Sequence, residues 1–318
     1  MSTRTYRYLH FDVFTGTAFE GNQLAVFPEP AGLGTSEMQT ITREMNFSEC
    51  TFVFPPESAG TDVRMRIFTP GEELPMAGHP VIGSTFALVE EGVIAQGRES
   101  FVFGLGVGPT PVSLAWKDGA LDFAWMTQKN PEFGGRVTDR AAFASAIGVE
   151  AADLADAPPQ VLSCGVPFLI AALTSRRAVD AVALDGRSYA AVCAASGIDA
   201  RPLFVFTTEP PAAGSQPDRR EAAARETIEV AAYSRMLAPG FGISEDPATG
   251  SASGPLGCYL HAYRLIDRAR LSHFVSLQGA KMLRPSRIHI SLDTSGEAIT
   301  RVRVGGRSVQ VGQGSLTF

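Results

Sequence analysis

Two short turns in the sequence have the composition of anion-binding sites. Residues 77–80 read AGHP and residues 248–251 read ATGS, and each turn leads into a predicted long helix. The N-terminus of a helix presents backbone N–H groups without intrahelical acceptors and carries partial positive charge. Such a terminus binds carboxylate or phosphate groups well. Each turn therefore predicts either an anion site or an ordinary capped helix end.

Two acidic residues lie beside segments that could carry chemistry. Glu49 is flanked by apolar residues in NFSECTF (46–52), and Asp246 shortly precedes the second turn. Because no lysine or arginine is near it in the sequence, burial of Glu49 should raise its pKa and suit it to general acid–base catalysis near neutral pH. The alternatives are a solvated loop acid for Glu49 and a helix-capping acid for Asp246.

A histidine in the first turn and a cysteine next to Glu49 could also take part in chemistry. His79 is at the start of the first predicted helix, where it could hydrogen-bond an anionic ligand or simply cap the helix at the surface. Cys50 directly follows Glu49 and would need a nearby base or helix end to act as a nucleophile. In a strand that continues as TFVF (51–54), a small core residue is the commoner role for Cys50.

An internal repeat places the two turns in matching positions. Residues 66–71 read RIFTPG and residues 235–240 read RMLAPG, and each copy ends a predicted strand and is followed by one of the turns. A weaker similarity links GNQLAVF (21–27) with GVPFLIA (165–171). Copies this far apart exclude a solenoid and indicate two similar halves. The repeat also predicts that the two helix ends face one shared cleft, a common place for a ligand site.

Strands grouped around single helices predict an α+β fold with largely antiparallel sheets wrapped on a helix. Ser36, with Gln39 as its capping-box partner, predicts one helix, Pro80 suits the first turn of another, and a third begins near Ser251. The boundary between the halves is expected near residues 126–136. Residues 210–225, rich in proline, alanine and charge, indicate a surface insertion that is locally helical at residues 222–226.

Composition excludes several classes of protein. The 318 residues are 45% hydrophobic and 19% charged, which excludes extensive disorder, and a net charge of −6 gives no basic footprint for nucleic acid. We expect no membrane span, because no apolar segment is long enough, and no secretory signal, because residues 1–10 have no apolar core and no small-residue cleavage site. Four scattered cysteines favour neither zinc nor disulfides and predict a reduced, cytoplasmic protein. Without metal-ligand spacing or Walker A, GxGxxG or GxSxG motifs, no metal or organic cofactor is expected.

These motifs together resemble the PhzF family of phenazine biosynthesis isomerase-like proteins. The segments that carry the resemblance are, in chain order, FDVFT (11–15), FEGN (19–22), NFSE (46–49), AGHP (77–80), EDPATGSA (245–252), RPSRI (284–288) and VGGRSV (304–309). They cover essentially the whole chain, and the combination of AGHP with EDPATGS is specific.

The resemblance implies the diaminopimelate epimerase fold. In that fold two pseudo-symmetric halves, each a mainly antiparallel sheet wrapped around a central helix, have the active site between them. The implied halves are residues 1–128, with a C-terminal strand 305–318 returning to them, and residues 129–304. A homodimer is implied, as is catalysis without metal or organic cofactor. The family's namesake isomerises trans-2,3-dihydro-3-hydroxyanthranilate by moving a proton between ring carbons.

Carried over position by position, the resemblance makes Glu49 the proton shuttle. It implies that His79, Asp246 and Ser251 hold and polarise a small substrate, whose carboxylate is bound by backbone amides at the two turns. The implied substrate-binding residues are Asn22, Gly78, Gly250 and Ser251.

Two departures from the family pattern bear on the reaction. Epimerase relatives use a cysteine at each turn, whereas this chain has Ala77 in the first turn and no cysteine in residues 245–257, which puts cysteine-based racemisation in doubt. Gln23 stands where the family commonly has proline, and it warns of a different substrate. The expected activity is an isomerase that acts on a small carboxylate. The alternatives are an amino-acid epimerase or racemase and a non-catalytic ligand-binding protein of the same fold.

Overall fold

A computed structural model describes residues 3–210, 228–241 and 243–318. Apart from Pro210, the insertion expected over residues 210–225, with its helix, lies outside these residues. The strands in the described ranges are β1 (Thr5–Val13), β2 (Asn22–Phe27), β3 (Glu49–Phe54), β4 (Val63–Phe68), β5 (Glu73–Leu74), β6 (Ser100–Leu105), β7 (Gly108–Lys117), β8 (Ala120–Gln128), β9 (Glu132–Arg136), β10 (Gln160–Ser163), β11 (Pro167–Ala172), β12 (Leu203–Thr207), β13 (Val230–Ala238), β14 (Ile243–Asp246), β15 (Phe274–Gln278), β16 (Ser286–Ser295), β17 (Ala298–Gly306) and β18 (Ser308–Thr317).

The helices are fewer, as the sequence indicates. The α-helices of the described residues are α1 (Thr35–Met45), α2 (Gly78–Glu90), α3 (Arg140–Ala146), α4 (Arg176–Ala181), α5 (Gly186–Ala195) and α6 (Gly250–Ala262). Short 3₁₀ turns lie at Ala151–Asp153, Pro239–Phe241, Arg268–Ser272 and Ala280–Met282. The helices predicted around Ser36, Pro80 and Ser251 correspond to α1, α2 and α6 and are confirmed.

The chain forms two compact units, Met1–Thr127 with Val304–Phe318, and Gln128–Arg303. The boundaries expected from the sequence, 128/129 and 304/305, each differ from these by one residue. In the first unit β1 pairs antiparallel with β18 and β2, β2 is parallel to β3, β3 antiparallel to β4, β4 parallel to β6, and β6 antiparallel to β7.

The second unit repeats this order of pairings. Here β10 pairs antiparallel with β9 and β11, β11 is parallel to β12, β12 antiparallel to β13, β13 parallel to β15, and β15 antiparallel to β16. A short strand also pairs antiparallel with the repeated strand in each unit, as β5 with β4 and β14 with β13. Two pseudo-symmetric α+β halves with mainly antiparallel sheets are therefore confirmed.

The repeated sequence segments occupy the same register in both units. Arg66 lies opposite Phe52 across β3 and β4, and Arg235 lies opposite Val205 across β12 and β13. When the two units are aligned at these arginines, each position of the paired strands has a counterpart in the other unit.

Each repeated arginine makes a two-point ion pair with a glutamate of the following short strand. Arg66 donates to Glu73 over 2.7 and 2.5 Å, and Arg235 donates to Glu245 over 2.8 and 2.8 Å. The repeat therefore extends beyond the matching hexapeptides, to ELPMAG (73–78) and EDPATG (245–250). The glycines that end these segments begin α2 and α6, so the two helix starts are equivalent.

The helices α2 and α6 are the central helices of the two units. Residues 78–88 of α2 and residues 250–261 of α6 are all buried, unlike the one-sided burial of a surface helix. A Cβ at Gly83 of α2 would come within 2.6 Å of both Leu24 and Val13, so glycine permits the close approach of helix and sheet. The middle of α2 thereby packs closely against its own sheet.

The capping box predicted for α1 is wrong in its residues. The helix is capped by Gly34, whose backbone N–H donates to Glu37 over 2.8 Å. Ser36 already lies inside the helix, and Gln39 donates to the carbonyls of Thr69 and Pro70. The Gln39 side chain therefore makes a tertiary contact just after β4 and does not form the helix cap that the local pattern predicts.

Candidate active site

The pleat of β3 directs Glu49 and Cys50 to opposite faces of the first sheet. Thr51, two residues after Glu49, forms a hydrogen bond of 2.9 Å with Ser84 of α2, so this face of the strand contacts the central helix. Successive side chains of a strand point to opposite faces. Glu49 therefore faces α2, whereas Cys50 packs in the cluster on the other face with Met38 of α1.

Glu49 meets His79 and Asn22 at the start of α2. The Oε2 atom of Glu49 is 3.3 Å from Nε2 of His79, and the Nδ2 atom of Asn22 is 3.2 Å from Nδ1 of the same ring. All three residues are buried. Three residues that the sequence places far apart thus form one polar cluster.

His79 is neutral in this cluster. Burial lowers the pKa of its imidazole to about 3, against a smaller opposing effect of a hydrogen bond with the Gln23 backbone. The contact with Glu49 is therefore not an ion pair at neutral pH. The Nε2 atom of the ring faces Glu49, and Nδ1 lies against the Asn22 amide.

Cys50 has the properties of a core residue. Burial raises the pKa of its thiol to about 12, and hydrogen bonding to Thr42 only partly opposes this effect. A thiol needs its thiolate form to act as a nucleophile, so Cys50 is inert at neutral pH. Of the two neighbouring candidates, only Glu49 lies next to other groups that could take part in proton transfer.

In the second unit, Asp246 ends β14 and faces the start of α6. The hydroxyl of Thr249, the N-cap residue, donates to Oδ2 of Asp246 over 2.5 Å. Gly250 and Ser251 are the first two helical residues, and the Gly250 carbonyl accepts a hydrogen bond of 2.9 Å from the Gln128 side chain. All these residues are buried. The two backbone amides have the position in the helix at which anions bind.

Two residues of this region were missed by the reasoning from sequence. The side chain of Gln278, the last residue of β15, contacts both Thr249 and Asp246. No local signal could have identified Gln278, because Thr249 is distant in sequence and the partners meet only through strand pairing. Thr249 lies within the EDPATGSA segment, but its hydroxyl gains a role only through its contacts with Asp246 and Gln278.

The structure thus brings the predicted residues into two groups, each within its own unit. Asn22, Glu49 and His79 form the first group, with Gly78 beginning the same helix. The second is the turn of Asp246, Gly250 and Ser251. That the two turns share a cleft, and that these residues act on a substrate, stay predictions.

Metal and membrane features were searched within the described ranges. No group of three or more histidine, cysteine, aspartate or glutamate side chains there is arranged to hold a metal ion. None of the helices in that part of the chain combines the length and the apolar character needed to cross a bilayer.

Comparison with known proteins relates this geometry to a family. A family model described as phenazine biosynthesis-like protein, PhzC-PhzF, matches residues 11–314. The chain belongs to the PhzC-PhzF family. Trans-2,3-dihydro-3-hydroxyanthranilate isomerase from Pseudomonas aeruginosa is 32% identical over 309 residues, which are 97% of this chain and 98% of that relative. An uncharacterised isomerase from Mesorhizobium japonicum is 34% identical over 318 residues, with 98% and 99% covered.

Solved structures of PhzC-PhzF proteins confirm the fold. The crystal structure of a PhzF-family phenazine biosynthesis protein from Bacillus anthracis matches with a TM-score of 0.80 and 25% identity, over 98% of this chain and 99% of that one. The resemblance noted in the sequence is thereby confirmed, and with it the diaminopimelate epimerase-like fold class.

Proposed function

We propose that this protein is an isomerase that moves a proton on a small carboxylate-bearing substrate, with Glu49 as its acid–base group. The observation that carries the proposal is the buried contact of 3.3 Å between Glu49 and neutral His79 at the start of a central helix. A carboxyl that transfers protons needs a site closed to bulk water, so that the proton it takes is returned to the substrate.

The proposed reaction uses Glu49 twice. Its carboxylate accepts a proton from one carbon of the substrate, and the resulting carboxylic acid then gives a proton to another carbon. His79 remains neutral throughout, because burial disfavours the imidazolium form. The imidazole can therefore hydrogen-bond to the carboxyl or the substrate without competing for the transferred proton.

The substrate class follows from the two helix starts and from the relatives. We propose that the backbone amides at the helix starts, that of Gly78 in α2 and those of Gly250 and Ser251 in α6, are carboxylate-binding donors, and that Asp246 contacts a polar group of the substrate. The curated relatives are named isomerases, and one is named for trans-2,3-dihydro-3-hydroxyanthranilate. That compound is the first substrate to test. A homodimeric state and a cytoplasmic location are further expectations.

The asymmetry of the two units at the position of Glu49 supports a single acid–base group there, and at the two turns, where epimerase relatives use cysteines, the N-cap residues are Ala77 and Thr249. When the two units are aligned at the repeated arginines, Cys50 corresponds to Leu203 and Glu49 to Pro202. By the same alignment, Asn22 corresponds to Val166. A pair of equivalent bases, one per unit, is thus absent at this position of the fold.

Replacement of Glu49 by glutamine tests the assignment. Glutamine keeps the shape and the hydrogen-bonding capacity but cannot carry the proton, so kcat on trans-2,3-dihydro-3-hydroxyanthranilate should fall by about 100-fold or more. Affinity for 2-aminobenzoate, a stable aromatic analogue, should change little. The matched control is Cys50→Ala, which alters the adjacent residue on the opposite face and should retain activity. Activity that survives Glu49→Gln but is abolished by Cys50→Ala or Asp246→Asn would contradict the assignment.

Two further measurements separate the alternatives. In deuterated water, a racemase would introduce deuterium at a stereocentre with inversion, whereas the proposed isomerase would move a proton to a different carbon. A non-catalytic protein of this fold would bind 2-aminobenzoate without turning over any carboxylate substrate.

A further inference from the structure

A chain of hydrogen bonds connects Gln278 to Asp246 through Thr249. The Nε2 atom of Gln278 donates to the Thr249 hydroxyl over 3.0 Å and to the Asp246 carbonyl over 2.7 Å. Its Oε1 atom accepts the Thr249 backbone N–H over 3.0 Å. The Thr249 hydroxyl donates in turn to Oδ2 of Asp246 over 2.5 Å. The Gln278 side chain is fully buried, so these bonds lie away from water.

The direction of these bonds is fixed by the chemistry of the groups. An amide nitrogen can only donate, so the Thr249 hydroxyl must accept from Gln278. Its single proton is then directed at Asp246. Oδ2 of Asp246 therefore accepts the Thr249 hydroxyl proton in this network.

The equivalent place in the first unit has no such network. There, Leu74 corresponds to Asp246, because each lies opposite the residue that follows the repeated arginine. Ala77 corresponds to Thr249, since each is the N-cap of its central helix.

The counterpart of Gln278 is also apolar. Val63 and Ala232 both lie three residues before the repeated arginine, and their parallel partners are Phe103 and Ser276. Two residues after Phe103 and Ser276 in their strands are Leu105 and Gln278, respectively. The next residue is glycine in both units, and a Cβ there would come within 2.9 Å of Pro75 or 2.5 Å of Pro247.

The first unit thus builds the same strand, turn and helix with three apolar residues. The polar network of the second unit is not needed to form this local structure. Its distinguishing feature is the orientation of one carboxyl group.

We propose that Gln278 and Thr249 are positioning residues that orient Asp246 to accept a hydrogen bond from an amino or hydroxyl group of the substrate. This inference rests on the proposed function for the identity of the ligand, and it adds a requirement to the substrate class. Besides its carboxylate, the substrate carries an N–H or O–H donor. The network discriminates between carboxylates with and without that donor.

The test compares two ligands that differ by one donor, 2-aminobenzoate and benzoate, in calorimetric titrations of the full chain. Thr249→Val removes the hydroxyl and keeps the side-chain shape. It should weaken binding of 2-aminobenzoate by about tenfold or more and leave benzoate within about threefold, because only the former uses Asp246. Thr249→Ser restores the hydroxyl and should recover most of the selectivity.

The matched control is Ser276→Ala, which removes another buried hydroxyl from β15. Ser276 bonds to Ser234 over 2.9 Å and not to the turn, so this variant should leave the affinity of both ligands unchanged. If Gln278→Leu folds, it should resemble Thr249→Val.

The possible outcomes separate this inference from the proposed function. Equal loss of both ligands in Thr249→Val, no loss, or failure of Thr249→Ser to recover selectivity overturns the positioning role. A wild-type protein without selectivity for 2-aminobenzoate overturns it as well. If the predicted selectivity pattern holds but no carboxylate substrate is turned over, the inference survives and the proposed function fails.

Discussion

Acid should destabilise this protein through His79. The imidazole has a pKa of about 3 in the folded protein and about 6.5 in an unfolded chain. Between these values the unfolded chain binds more protons than the folded one, so the free energy of unfolding falls as pH is lowered. Each pH unit within this window costs about 1.4 kcal/mol. Because the unfolded imidazole is already half protonated at pH 6.5, lowering the pH from 6.5 to 4.5 should remove about 2 kcal/mol through this residue alone.

The variant His79→Asn isolates this contribution. Asparagine can still accept a hydrogen bond from Asn22 but does not titrate, so the acid-dependent loss attributable to His79 should disappear. Urea unfolding of both proteins at pH 6.5 and pH 4.5 gives the four free energies needed. The quantity of interest is the difference between the two pH effects, so any general destabilisation by the substitution cancels.

A direct measurement checks the same reasoning. The nitrogen chemical shifts of a labelled His79 ring should remain those of a neutral imidazole down to about pH 4, since burial opposes protonation. If both proteins lose the same stability between pH 6.5 and 4.5, or if the ring titrates near pH 6.5, the claim of a buried neutral histidine is refuted.

Two further predictions concern the stability of the second unit. Gly279→Ala should lower the free energy of unfolding in urea by about 2 kcal/mol or more, because φ is 74° and a Cβ would lie 2.5 Å from the Pro247 carbonyl. The control Gly186→Ala, where a Cβ would meet no atom within 4 Å, should change the free energy of unfolding little. Arg235→Met should cost about 3–5 kcal/mol, because it leaves Glu245 without its buried partner. The equivalent, more exposed Arg66→Met should cost about 1 kcal/mol, and equal losses would contradict this account.

The fold was predictable because the residues that specify it are repeated in the sequence. An arginine in a strand, followed by Pro-Gly and then by a turn with glycine, occurs twice, and each residue type has a local physical role. The arginine pairs with a glutamate, and the glycine begins a central helix. Such signals can be recognised without knowledge of tertiary contacts. The capping box predicted at Ser36 and Gln39 is wrong for the opposite reason, because the Gln39 side chain donates to the carbonyl of Thr69, which is distant in sequence.

The candidate site was predictable only in part. The apolar surroundings of Glu49 indicate its burial, and a period of two is enough to separate it from Cys50. The neutral state of His79 depends on complete burial, which no sequence pattern reveals. Gln278 could not be found from sequence, because its partner Thr249 is reached through the end of a different strand.

Different positions in this chain determine its topology and carry its chemistry. Positions that match between the units, such as the arginine, the glutamate and the glycine at the helix start, stabilise the strand, turn and helix in both. Positions that differ carry the polar groups: Glu49 against Pro202, and Asp246 against Leu74. Where the counterpart of a polar residue is apolar and the same local structure still forms, folding alone does not explain the polar group. That contrast selects Glu49 and Asp246 together with Thr249 and Gln278, and it does so from backbone register without reference to any relative.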